Sequence, residues 1–154
     1  MVAKWLRSTL MSAVLVLLAG CVVANAVYEP STDLNIKAVA GLNPDYTGRP
    51  SPVVVKLYQL NGRSAFDASD FFNLYGDASA TLGKELVKVE DYELQPGEKR
   101  DIKLRLNKHT RYIGVVVAYR DIENAQWRLV LNADPTGYDD FSLKLDALAV
   151  SAKG

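Results

Sequence analysis

Along most of the chain, hydrophobic and polar positions alternate with a period of two, the mark of half-buried β-strands. Thr32 to Gly41 sets Leu34, Ile36, Ala38 and Ala40 on one side. Pro52 to Leu60 contains the β-branched run Val53-Val54-Val55-Lys56-Leu57-Tyr58, and Leu86 to Leu94 alternates imperfectly. Asp101 to Leu106 is the cleanest strand, with Ile102, Leu104 and Leu106 in and Lys103 and Arg105 out. Tyr112 to Tyr119 is apolar on both faces, which predicts a central position. Gln126 to Leu131 sets Trp127, Leu129 and Leu131 opposite Gln126, Arg128 and Val130. Phe141 to Val150 closes the pattern, with Phe141, Leu143 and Leu145 on one face. Turn-forming residues separate these runs: Asn43-Pro44, Gln95-Pro96-Gly97-Glu98, Asn107-Lys108 and Asp134-Pro135-Thr136-Gly137. Seven strands joined by polar turns predict an all-β fold, a two-sheet antiparallel β-sandwich.

One segment departs from the period of two. Ser64-Ala65-Phe66-Asp67 has the form of a capping box, and Ala68, Phe71, Phe72 and Tyr75 then fall at the i, i+3, i+4, i+7 spacing of one helix face. Gly76 is placed to end that helix, and a second short turn fits Asp77 to Leu82. The spacing predicts a helical insertion between the second and third strands. Its aromatic face reads as core, packed on an open end of the sandwich, with a ligand-binding stripe as the alternative.

The first 20 residues have a different build. Lys4 and Arg7 precede an apolar stretch from about Leu10 to Leu18, too short for the ~20 residues that span a bilayer. That is the pattern of a bacterial secretory signal peptide. It ends in Leu18-Ala19-Gly20-Cys21, which resembles a lipobox, and Cys21 is the single cysteine of the chain. The resemblance implies removal of residues 1–20, a lipid on the sulfur of Cys21 and an acylated new amino terminus. Each buried methylene is worth roughly 0.8 kcal/mol, so several acyl chains hold where one is marginal. Val22, in place of aspartate at the second mature position, implies by analogy with bacterial lipoproteins the outer membrane. The expected organisation is a leader (1–20), a lipidated tether (21–30) and a β-sandwich domain (31–154).

Composition narrows the function classes. The chain has 18 basic and 18 acidic residues, and the leader takes two basic ones, leaving about −2 on the mature part. No basic field points to nucleic acid. With Cys21 lipidated no thiol remains for a disulfide, and a domain of this size must hold by packing.

No catalytic set can be assembled. His109, the single histidine, sits in the polar turn Asn107-Lys108-His109-Thr110 and reads as a surface residue. A zinc site lacks its usual ligands, and no Gly-x-Ser-x-Gly turn presents a nucleophile. Asp139-Asp140 and Glu90-Asp91 are neighbours on strands, so their side chains face opposite ways. Neither an enzyme nor a cofactor is expected, apart from the covalent lipid. Trp127 reads as core, while Arg128 either pairs with an acid on a neighbouring strand or lies on a docking surface.

Several ordered segments carry a family resemblance. They are Arg49-Pro50-Ser51-Pro52-Val53-Val54-Val55-Lys56-Leu57-Tyr58-Gln59-Leu60, Phe66 followed by Asp70-Phe71-Phe72-Asn73-Leu74-Tyr75, and Leu82-Gly83-Lys84-Glu85-Leu86-Val87. After these come Leu94-Gln95-Pro96-Gly97-Glu98, and Val117-Ala118-Tyr119-Arg120-Asp121 leading to Ala125-Gln126-Trp127-Arg128. With the lipobox, this set resembles the TssJ family, the outer-membrane lipoproteins of type VI secretion systems. The resemblance implies a transthyretin-like sandwich with added helices. It also implies a role as anchor for the periplasmic C-terminal domain of TssM, which is fixed in the inner membrane with TssL. The family's partner contact is attributed to the loop between the first two strands. Here that loop is Leu42 to Ser51, with Asn43, Pro44, Asp45, Tyr46, Thr47, Gly48 and Arg49 as candidate contacts.

The residues themselves leave this loop open between a solvated crossover and a binding element. It has ~10 residues, the long end for compact domains. Two prolines, Pro44 and Pro50, stiffen it, and Tyr46 and Arg49 are hot-spot residue types. The alternative function is a periplasmic small-ligand binder, for example of carbohydrate, with Tyr28, Tyr46 and Tyr138 as candidate stacking residues.

Overall fold

A computed structural model describes residues 30–154. The leader, Cys21, Tyr28 and the tether before Pro30 lie outside the described residues. Eight strands form two four-stranded sheets: β1 (Ser31–Ala38), β2 (Val53–Leu60), β3 (Leu86–Leu94), β4 (Lys99–Arg105), β5 (Tyr112–Val117), β6 (Arg128–Asn132), β7 (Tyr138–Leu145) and β8 (Val150–Lys153). One sheet has the order β4-β1-β7-β8 and the other β3-β2-β5-β6. Every pairing is antiparallel except β1 with β7, which run parallel.

The expected sandwich is thus the observed one, with two differences. The strand expected over Phe141 to Val150 is a hairpin, β7 and β8, turning at Asp146–Ala149. Asp146 N–H bonds Ala149 O at 2.8 Å, closing the turn where regular alternation gives way to Ala147-Leu148-Ala149. The second difference is the parallel pair, which brings the chain's first and seventh strands side by side and which no local pattern encodes.

The inward rows meet as the main core. Leu34 and Ile36 of β1, Ile102 and Leu104 of β4 and Leu143 and Leu145 of β7 pack against Val53, Val55, Leu57, Ile113, Val115 and Val117 of the other sheet. Burial of this kind is worth roughly 1.5–3 kcal/mol per large aliphatic side chain. Gln59 occupies an inward position at the far end of β2 and is buried. Its amide donates to Arg105 O at 2.9 Å, and its carbonyl accepts from Asn107 N at 3.0 Å and Thr110 Oγ1 at 2.8 Å. A buried amide so satisfied ties the β4–β5 crossover to the opposite sheet.

β5 lies inside its sheet, as its two apolar faces predict. Its outer face, with that of β2, is covered by the insertion: α1 (Ser64–Ala68), α2 (Phe71–Gly76) and α3 (Ala78–Leu82), followed by a 3₁₀ turn at Gly83–Glu85. Tyr58, Leu60 and Val116 meet Phe66, Leu74 and Leu82 there as a second core. Gly114 is required at the contact: a Cβ on it would sit 2.6 Å from a ring carbon of Phe66.

The insertion corrects two expectations. Its buried residues are Phe66, Leu74 and Leu82, whereas Phe72 is 74% exposed and Tyr75 lies at the surface. Two short helices, α1 and α2, replace the single helix expected over Ser64 to Gly76, so the i, i+3, i+4, i+7 face does not persist, while α3 falls where the second short turn was expected. Nor does Ser64 cap α1. Arg63 occupies the cap position, Asp67 pairs with Arg63 at 2.6 Å, and Glu85 accepts the Ala65 N–H at 2.9 Å. The side-chain caps lie further on: Asp70 accepts from Asn73 N and Asp77 from Ala80 N.

Candidate functional site

The loop between β1 and β2 leaves the sandwich at the end of β1 opposite its entry at Ser31. It is braced from within. Asn43 is buried and holds the left-handed conformation (φ 47) that asparagine tolerates. Its amide donates to Pro52 O at 2.7 Å, its side-chain carbonyl accepts from Arg120 N at 2.8 Å, and its own N–H bonds Ala147 O at 3.0 Å. One residue thereby joins the loop's two stems to the β5–β6 connection and the β7–β8 turn. Tyr119 adds a second tie, its hydroxyl donating to Asp146 O at 3.2 Å.

Asp45 organises the tip. One carboxylate oxygen accepts from Thr47 N (2.9 Å), Thr47 Oγ1 (2.6 Å) and Arg49 N (3.0 Å), and the other from Arg49 Nε (3.2 Å). The Thr47 hydroxyl, then the Arg49 and Thr47 backbone N–H groups and the Arg49 charge, hold this carboxyl at about 2. Gly48 takes φ +83 to close the turn, a conformation favouring glycine. Asn43 and Asp45 are spent inside the loop, and what faces outward is Tyr46, fully exposed, with Thr47, Gly48 and the largely exposed Arg49.

Beside the tip lies an open cleft of about 490 Å³ lined by Pro44, Asp45, Tyr46, Arg120, Asp121 and Leu148. Three connections therefore converge at one end of the sandwich. Sequence alone placed the first of them there and missed the other two, since residues 120 and 148 approach the loop only through strand order.

The remaining candidates resolve into structural roles. Arg128 takes neither expected role: its guanidinium donates to Phe66 O (3.0 Å), Asp67 O (3.0 Å) and Ser69 O (2.7 Å), satisfying carbonyls at the end of α1 and of the residue that caps it. It also lies 4.8 Å over the Trp127 ring. Trp127 is half-buried and borders both cores, with Phe71 edge-on at 5.4 Å. Expected as core, it is instead the seam between sandwich and insertion. His109 is exposed in its turn. Asp139 accepts from Asp134 N and Asp140 from Asn35, while Glu90 pairs with Lys88 and Asp91 with Lys56. Tyr138 begins β7 beside Ser31, at the end away from Tyr46, so these two tyrosines form no common stacking surface. Among the described residues no group of three His, Cys, Asp or Glu is placed to hold a metal, and no helix is long and apolar enough to cross a membrane.

Comparison with known proteins gives this geometry its family. Residues 30–148 match the family model described as type VI secretion lipoprotein, VasD, EvfM, TssJ. No curated protein matches the sequence. Among solved structures, the type VI lipoprotein TssJ1 from Pseudomonas aeruginosa is 34% identical, with a TM-score of 0.79 over 82% of this chain and 96% of that one. Serratia marcescens Lip, a membrane-bound component of the type VI secretion system, shares the fold at 21% identity and TM-score 0.75, over 82% of this chain and 98% of its own. A chain in the structure titled for the TssM C-terminal domain from EAEC shares it at 23% and 0.68, over 80% and 98%.

The chain belongs to the TssJ family of type VI secretion lipoproteins. These are structural components of the secretion apparatus and not enzymes, and no cofactor is expected.

Proposed function

We propose that this protein is an outer-membrane lipoprotein, anchored through Cys21, that docks the C-terminal periplasmic domain of TssM through its β1–β2 loop. TssM with TssL in the inner membrane then completes a trans-envelope complex. The observation that carries the reading is Tyr46, fully exposed on a self-braced loop at the end of β1 away from its entry. Eight residues of strand separate entry and loop stem, about 25 Å. Residues 22–30, nine in all, separate Cys21 from β1 in the sequence. The loop is therefore carried away from the lipid, and the partner must come to it. Membership of the family and the occurrence of this fold in a structure titled for the TssM C-terminal domain support that partner.

Rigidity is the mechanism. With Asn43 and Asp45 fixing the loop, little conformational entropy is lost on docking, and the aromatic tip supplies area at low entropic cost. The test is calorimetry of the full-length lipoprotein in neutral detergent against the cognate TssM C-terminal domain. Variants lacking Asp45 to Gly48, or carrying Tyr46→Ala, are run beside it. Saturable binding lost in the deletion establishes role and loop together. Binding retained in both variants moves the site elsewhere, and failure of the folded wild type to bind refutes the docking role.

A further inference from the structure

The outer face of the β4-β1-β7-β8 sheet carries an uneven charge. Lys37 of β1 is the direct cross-strand partner of both Lys99 of β4 and Lys144 of β7, and Lys144 is the partner of Ser151 of β8. Three lysines therefore stand in one row across adjacent strands, about 4.8 Å apart. Like charges directly opposite destabilise a sheet. Lys144 is relieved by Asp146 at 2.7 Å, whereas Lys37, Lys99 and Lys153 carry no ion pair among the described residues. Between Lys37, Lys144 and Lys153 runs a groove of about 270 Å³ whose polar margin those lysines share with Ser142 and Ser151.

The row lies at the β1–β2 loop end of the sheet, six strand positions from Ser31. The carboxylates nearest the loop are engaged: Asp45 by Thr47 and Arg49, Asp121 by Asn124, and Asp146 by Lys144. Further from the loop the same face turns acidic, with Asp101 and then Asp33 and Asp140 beside Lys103. Below the row three carboxylates, Asp33, Asp101 and Asp140, outnumber Lys103 and Arg105, so an anionic partner is favoured at the loop end.

We propose that this lysine-rimmed groove docks an acidic segment of a protein partner, its carboxylates taken by Lys37, Lys144 and Lys153. A bilayer is the poorer occupant, because the groove lies at the end away from the chain's entry. The inference deepens the docking role above and rests on it for the partner's identity.

The full-length lipoprotein in neutral detergent is measured against the cognate TssM C-terminal domain at about 50 and about 300 mM salt. The groove variant K37E/K144E/K153E is compared with K84E/K88E/K108E, a charge-matched reversal of exposed lysines off that face of the sheet. The expected result is an affinity loss of about tenfold in the groove variant at low salt, narrowing at high salt, with the control near wild type. Equal affinities for the two variants overturn the proposal, even where the loop deletion abolishes binding and the docking role stands. A wild type that fails to bind that domain refutes the docking role instead. The groove is then judged by carbodiimide cross-linking to a short glutamate-rich peptide: adducts concentrated at Lys37, Lys144 and Lys153 sustain it, and adducts spread over all lysines, or none, overturn it.

Discussion

The side-chain carbonyl of Asn43 accepts the backbone N–H of Arg120 at 2.8 Å, across 77 positions of chain. The same amide donates to Pro52 O, so a single buried side chain closes the loop on itself and fastens it to the β5–β6 connection. Asn43→Ala leaves Pro52 O and the Arg120 N–H without their side-chain partner and puts at φ 47 a residue that tolerates it less well than asparagine. The expected cost is about 1–3 kcal/mol in urea unfolding. Asn43→Gly loses the same bonds without the backbone strain and is expected to fall between alanine and wild type. An alanine variant as stable as wild type refutes this role.

The contact of Gly114 with Phe66 sets the distance between insertion and sheet. Gly114→Ala drives a methyl into the ring and is expected to destabilise by about 1–3 kcal/mol. Combining it with Phe66→Leu is expected to recover part of that loss relative to the sum of the single changes, read in a double-mutant cycle. Strict additivity means that the two residues do not press on one another.

Arg128→Ala removes the donors from two carbonyls of α1 and from that of Ser69, which follows it, and the expected loss is about 1.5–3 kcal/mol. Arg128→Lys keeps the charge but not the planar fork, and is expected to rescue little. Hydrogen exchange distinguishes the mechanism: amides of the insertion gain exchange while those of β1 and β7 hold. Uniform acceleration through both sheets contradicts a local cap.

Asp45 gives the loop a pH dependence with a definite sign. Its folded pKa of about 2 lies below the ordinary aspartate value of 3.8, so its contribution is complete above the higher value. It declines as pH falls between the two and is gone below the lower. The loop amides of Thr47 and Arg49 are accordingly expected to keep their chemical shifts until the solution is more acidic than pH 3, and Asp45→Asn to abolish the titration. A midpoint near 4 in the wild type shows the carboxylate to be unengaged.

Cys21→Ser removes the thiol that the lipid requires. The variant is expected in the soluble fraction after cell lysis, with the wild type in the membrane fraction. A serine variant that stays with the membranes places the anchor elsewhere in the chain.

The alternation of apolar positions determined most of the secondary structure, because a strand with one buried face must repeat every two residues. The inward row Ile102, Leu104 and Leu106 follows from that rule, and the central place of β5 from its two apolar faces. The loop was legible too, since its prolines, tyrosine and glycine act through local conformation. What the sequence did not decide was every relation requiring two distant segments. Arg128 could not be assigned until α1 lay across β6 and offered its carbonyls, and Phe72 was misplaced because two short helices turn a regular face out to solvent. The parallel pairing of β1 with β7 sets Lys37 beside Lys144, 107 positions apart in the chain but direct partners in the sheet. Periodicity is a property of neighbours along the chain, whereas caps, clamps and charge rows are properties of neighbours in space, and only the packing of the two sheets brought these together.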